Sequence, residues 1–248
     1  MDDHPARPRR PLIRWALLGF LLVAAVGFVA LGVWQVERLG WKRDLIARVD
    51  ARVHAEPVAL PAASGWTDVE PADDEYLRVQ VRGRFLHSQE VAVYASTELG
   101  PGYWIMTPLA TGDGTVWINR GYVDNAHRRA DTRARVSEDD VVSVTGLLRR
   151  PDRPHLFLRD NVPDEDRWYL RIPAEMSAAR SVPGPVAPFF VDAQNRIDTG
   201  NWPVPGLTII RFPNNHLSYA LTWFALAAGM AGCTIFVLRH ETGRRRRA

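Results

Sequence analysis

Two uncharged apolar stretches bracket this 248-residue chain and constrain it more than any other feature. Trp15 to Trp34 runs 20 residues without a charge, and Leu217 to Leu238 runs 22. At a rise of about 1.5 Å per residue, roughly 20 apolar residues in a helix cross the hydrocarbon core of a bilayer. The pattern predicts a tail over 1–14, a transmembrane helix over 15–34, a central domain over 35–216, a second transmembrane helix over 217–238 and a basic tail over 239–248. The first stretch is longer than the apolar core of about 7–15 residues in a signal peptide. It continues directly into Gln35-Val36-Glu37-Arg38, and Ala30-Leu31-Gly32 is a weak cleavage site, so it reads as an uncleaved anchor. Ala225, Gly229 and Cys233, four apart, permit either close approach of another helix or plain lipid contact.

Arginine sets the orientation. Arg7, Arg9, Arg10 and Arg14 precede the first span, and Arg239 and Arg244 through Arg247 follow the second. The positive-inside rule then places both termini in the cytoplasm. Arg38, Lys42, Arg43, Arg48 and Arg52 just after the first span oppose that assignment, but two spans return the chain to its starting side, so the C-terminal run decides. The formal charge of +3 belongs to the tails, +2 over residues 1–14 and +4 over 239–248, which leaves the middle at −3. The basic tails are topology signals and contacts for the lipid bilayer, and nothing points to nucleic acid. The single cysteine, Cys233, lies in the second stretch. The central domain therefore has no disulfide or thiolate site and relies on its core. A bacterial inner membrane is the simplest location, with the main domain periplasmic.

Within the central domain, Glu37 to Val53 carries apolar residues at helical spacing and continues the first helix as a stalk, which Pro57 to Pro61 ends. Ala62 to Asp74 reads as loop. Tyr76 to Phe85 alternates, with Leu77, Val79 and Val81 set against Arg78, Gln80 and Arg82, as a half-buried strand does. Val91 to Tyr94 is a second strand, and Gly100-Pro101-Gly102 a loop. Tyr103 to Leu109 and Thr115 to Val123 flank Thr111-Gly112-Asp113-Gly114, a hairpin signal. Ala126 to Asp140, with Arg128, Arg129, Arg133 and Arg135, reads as a solvated segment. Val141 to Leu148 and Trp168 to Ile172 read as strands, and Pro173 to Arg180 as a short helix opened by proline. Phe189 to Asp192 and Leu207 to Phe212 are further apolar runs. The expected fold is one α+β domain, mainly antiparallel and partly closed, between two transmembrane helices.

Chemistry-bearing motifs are sparse. No H-E-x-x-H, G-x-S-x-G, phosphate loop or dinucleotide fingerprint occurs, and no nucleophile has an evident base, so the chain does not read as an enzyme. Asp164-Glu165-Asp166 and Asp73-Asp74-Glu75 are carboxylate runs of the kind loops usually solvate. Arg120 shares a strand face with Ile118, which implies either a structural ion pair or a reach toward an anionic group; Gly121 beside it implies a bulge or a close backbone approach. His216 is the most suggestive residue, because imidazole is a common metal and haem-iron ligand and it stands where a polar loop meets the second span. Tyr219 and Trp223 follow three and seven residues on, toward the same helix face. The plainer alternative is an interfacial histidine bonded to headgroups, with ordinary aromatic anchors.

The chain resembles the Surfeit locus protein 1 family, the cytochrome c oxidase assembly factors. The likeness rests on Leu31-Gly32-Val33-Trp34-Gln35-Val36-Glu37-Arg38, Trp41-Lys42, Arg82-Gly83-Arg84-Phe85, Gly102-Tyr103-Trp104-Ile105-Met106-Thr107-Pro108-Leu109, Val116-Trp117-Ile118-Asn119-Arg120-Gly121-Tyr122-Val123 and Asn215-His216-Leu217-Ser218-Tyr219-Ala220-Leu221-Thr222-Trp223-Phe224, in that order between the two stretches. Tyr122 stands where the family often has tryptophan. The resemblance implies a non-enzymatic helper that binds haem a and aids its delivery to the oxidase catalytic subunit, with haem a synthase as a further partner. It implies His216 as ligand to the haem iron, Tyr219 and Trp223 against the macrocycle, and Gly102, Asn119 and Arg120 as structural or partner positions. The alternative within the same family is a membrane scaffold that steadies an assembly intermediate without touching haem.

Overall fold

The structure, a computed structural model, describes residues 10–66, 69, 74–154, 159–208, 210 and 212–245, with side chains at 10–11 and 241–245 excepted. Parts of the expected loop 62–74, the stretch 150–166 and the apolar run 207–212 fall outside these residues, as do Asp73, His155 and both chain ends. The chain forms two compact units, Met1–Arg48 with Arg211–Ala248, and Val49–Ile210.

Helix α1 (Arg10–His54), which belongs to the first unit as far as Arg48, runs unbroken from the apolar stretch into the charged one, because no proline or cap residue interrupts it. Helix α3 (His216–Arg245) packs against it in antiparallel fashion. The protected positions on α1 include Leu18, Leu21, Ala25, Phe28, Gly32, Gln35 and Leu39, alternately three and four apart. On α3 they are His216, Ala220, Trp223, Ala227, Met230, Thr234 and Val237, with the same alternation. That spacing is a heptad seam. Phe28 and Trp223 stack across it with ring centroids 5.6 Å apart. The Phe224 ring lies against Gly32, and a Cβ built there would come within 2.8 Å of its Cδ1 and Cζ. Small residues do mediate the helix contact, but they are Gly32, Ala220 and Ala227. The Ala225, Gly229 and Cys233 row faces outward, because it falls off the seam.

The second unit is built on seven strands: β1 (Val58–Ala59), β2 (Arg78–Phe85), β3 (Val91–Thr97), β4 (Gly100–Ala110), β5 (Thr115–Val123), β6 (Val142–Arg149) and β7 (Val186–Ala193). The sheet order is β1-β2-β6-β7-β5-β4-β3, and β2 also pairs with β4 through Arg84–Ala110 and Phe85–Leu109. Strands β2, β6, β7, β5 and β4 therefore form a closed circuit. All neighbours are antiparallel except β1–β2 and β5–β7. Alternation sends Val79, Val81, Phe85, Leu109, Val116, Ile118, Val144, Leu148, Phe189 and Val191 into the barrel.

The opposite faces of β3, β4, β5 and β7 are also covered. Val91, Val93, Met106, Trp117 and Phe190 pack with Trp168 and with Met176 of helix α2 (Pro173–Arg180). Trp117 Nε1 donates to Ser177 Oγ at 2.8 Å, which satisfies the indole where it is buried. This double covering buries every residue of β5. Two expected elements differ. Gly100-Pro101-Gly102 is not a loop but the start of β4, paired with Thr97, Ser96 and Ala95. Trp168 to Ile172 forms no strand; a single bridge joins Trp168 to Val93, because the segment turns away into α2. Truncating Met176, which is fully buried, to alanine leaves a void in the outer core. The expected cost is about 2–4 kcal/mol, measured as a lowered urea midpoint with unchanged slope.

Candidate functional site

In the first unit the conspicuous polar contact is between helices. His216 Nδ1 and Gln35 Oε1 are 2.7 Å apart, joining side chains 181 residues distant in sequence. Both are seam residues, and Gln35 is buried. His216 is the first residue of α3, because Asn215 accepts the first helical bond, from Tyr219 N at 3.2 Å, and the polar loop ends there. An amide oxygen only accepts, so the ring donates from Nδ1, and in its neutral form the lone pair lies on Nε2. Trp223 shares the seam with His216 and gives one ring face to Phe28. Tyr219 sits at the flank of the seam, 54% exposed. Sequence reasoning named His216, Tyr219 and Trp223 but missed Gln35, a lone uncharged amide at the end of an apolar run. Its only signal was its position one residue beyond Trp34.

In the second unit, Gly102, Asn119 and Arg120 are all built into the barrel. A Cβ on Gly102 would run into the Val123 carbonyl and lie 2.5 Å from Tyr122 Cε2, so only glycine lets β4 pass β5 there. Gly121 has φ +134°, and a Cβ would lie 2.8 Å from Pro205 N; Tyr122 N and O both bond Val204 at this point. The expected close backbone approach is with this returning segment. Asn119 Nδ2 donates to Asp192 Oδ1 at 2.8 Å, and its own Oδ1 accepts from Gly121 N at 3.1 Å. Asp192 Oδ2 accepts further bonds from Arg149 at 2.8 Å and Thr208 at 2.9 Å. Arg171, paired with both Asp152 and Asp192, has its pKa raised: burial opposes the charge, and the two carboxylates outweigh it.

Arg120 extends the inward row of Val116 and Ile118 to one end of the barrel, where its guanidinium lies over Phe85, 5.1 Å from the ring centroid. A buried cation needs counter-charges and filled donors. Nη2 donates to Asp198 Oδ2 at 2.5 Å, and Nη1 reaches Glu90 Oε2 and His87 Nδ1, each at 3.2 Å. Glu90 also holds Arg133 at 2.5 Å, so Arg133 is buried rather than part of a solvated face, because Glu90 has a second oxygen to fill. Asp198 Oδ1 accepts from Val136 N at 3.1 Å, and His87 Nε2 donates to Val136 O at 3.0 Å. Two loops, 124–140 and 194–205, are thereby tied over the barrel end. Sequence reasoning singled out Arg120 but not Glu90, Asp198 or His87, which lie 30, 78 and 33 residues away. Among the described residues no group of three or more His, Cys, Asp or Glu side chains is placed to hold a metal ion.

This is a β-barrel domain flanked in sequence by two long apolar helices whose seam carries a histidine–amide pair. The model of the SURF1 family matches residues 22–228. Surfeit locus protein 1 of Mus musculus is 32% identical over 233 residues, covering 87% of this chain and 72% of that protein. The Homo sapiens protein of the same name is 32% identical, with 87% and 74% covered. A SURF1-like protein of Monosiga brevicollis is 33% identical, with 93% and 89% covered. The chain belongs to the SURF1 family.

Two measurements test the Arg120 cluster. Arg120→Leu leaves Asp198 buried without its cation and Glu90 with Arg133 alone, and we expect a loss of about 3–5 kcal/mol in unfolding free energy. The His87 pKa is lowered from its usual 6.5, first by burial and then by the Arg120 charge. The folded ring thus stays neutral at pH values where the unfolded ring takes a proton. Stability is then flat above about pH 6.5 and falls with acidification below it, since the unfolded state binds more protons there. In His87→Gln this part of the slope below about pH 6.5 should vanish; a slope equal to wild type would contradict the assignment.

Proposed function

We propose that the chain spans a bacterial inner membrane twice and assists assembly of cytochrome c oxidase by holding haem a through His216 for delivery to the catalytic subunit, with haem a synthase as a further partner. Support for spanning comes from the outer faces of the helix pair. Leu12 is 79% exposed, Val23 72% and Phe236 70%, a pattern that suits lipid and not water. Trp15 and Trp34 are exposed at the two ends of the first span, about 28 Å apart along a helix, which matches the aromatic belts of a bilayer. The antiparallel pairing brings the basic ends of α1 and α3 to one side. In the cytoplasmic-ends orientation the remainder of the chain, from residue 35 to 216, is periplasmic.

The observation that carries the haem reading is the state of His216. Its Nδ1 is engaged by Gln35, which leaves the Nε2 lone pair for a ligand, one residue past the Trp34 belt on the opposing helix. Donor chemistry therefore fits haem iron, and the apolar helix surface fits a cofactor with a long hydrocarbon tail. Bound there, haem a would supply an iron centre that takes a nitrogen donor. His216 would ligate it, exposed Tyr219 would flank the ring, and Trp223, stacked on Phe28, would wall it from the seam. No bond-making chemistry is assigned to the chain.

The test is an absorption spectrum of the full-length protein purified from cells that make haem a. Wild type should carry a haem spectrum that His216→Ala abolishes or shifts. A variant spectrum identical to wild type would remove His216 as ligand. A wild type without haem that still co-purifies with the oxidase catalytic subunit would establish the scaffold alternative.

A further inference from the structure

We propose that Gln35 is the positioning residue for His216: its side-chain carbonyl takes the ring's single proton on Nδ1 and commits the imidazole to the tautomer whose Nε2 is a bare donor. This rests on the haem-binding reading above for its purpose, but not for its geometry. The contact is 2.7 Å, between an oxygen that cannot donate and a nitrogen that therefore must. Neutral imidazole has one N–H, so placing it on Nδ1 frees Nε2, and ligation through Nε2 releases no proton. Among the described residues none is hydrogen-bonded to Nε2.

Position makes Gln35 suited to this. It is 8% exposed, on a helix held against α3 by the Phe28–Trp223 stack one repeat further along the seam. The amide is thus oriented before any ligand arrives. Ligating histidines commonly donate their second ring N–H to a carbonyl or carboxylate, and losing that partner typically weakens metal affinity about 10- to 100-fold. An amide orients the ring without placing a net charge in the seam, as a carboxylate would. A polar pair in an apolar seam also fixes register, but register alone is indifferent to which ring nitrogen carries the proton.

The experiment reads that proton directly. In full-length protein with 15N-labelled histidine, in detergent micelles without haem, the His216 nitrogens are assigned by their loss in His216→Ala. Wild type should show Nδ1 protonated and Nε2 bare, and Gln35→Leu should shift the ring toward Nε2–H. In the haem-loaded protein, Gln35→Leu should lower haem affinity about 10- to 100-fold, and Gln35→Glu should retain haem with a lowered reduction potential, since a carboxylate strengthens the donor character of Nε2. A wild-type ring protonated on Nε2 overturns the proposal. So does a tautomer unmoved by Gln35→Leu, or a haem affinity and potential unmoved by both substitutions. If wild type takes up no haem, the function above fails, while the haem-free tautomer still decides the role of Gln35.

Discussion

Closing the sheet on itself is the constraint from which the rest of the β domain follows. The closure consists of two residue pairs, Arg84–Ala110 and Phe85–Leu109. It turns the inner row of the five strands in the circuit into core, including positions near the barrel end that a flat sheet would leave wet. Arg120 occupies one of these. Its charge has to be answered inside the protein: Glu90 and Asp198 supply the counter-charges, His87 accepts from the guanidinium, and Arg133 pairs with the second oxygen of Glu90. The loops that supply them become ordered lids of the barrel because the alternative is an uncompensated buried ion.

The helix pair solves a different problem with the same logic. Its surface is apolar nearly all round, so packing specificity cannot come from a hydrophobic stripe. A three-and-four alternation of small and large side chains supplies the fit, and one polar contact, Gln35 with His216, marks the register. A histidine in such a seam has few possible partners. That scarcity makes Gln35 the side chain that holds the ring.

Much of this was legible from residue order. The alternation of Leu77, Val79 and Val81, the Thr111–Gly114 turn and the proline opening Pro173–Arg180 each reappear as β2, the β4–β5 hairpin and α2, because local periodicity and turn chemistry act within a few residues. Gly100–Gly102 looked like a loop because glycine and proline usually break strands; here glycine is needed so that the strand can pass Tyr122. Arg133 looked solvated because its segment is charged throughout, and the partner it takes, Glu90, lies 43 residues away.

The sequence by itself determined the two apolar helices, most strands and the family, since these depend on hydrophobic period, length and short motifs. Only the tertiary structure decided ring closure, the partners of Arg120, the seam positions and the meeting of Gln35 with His216. Those depend on which side chains a fold brings together across 30 to 181 residues, and no local pattern carries that distance.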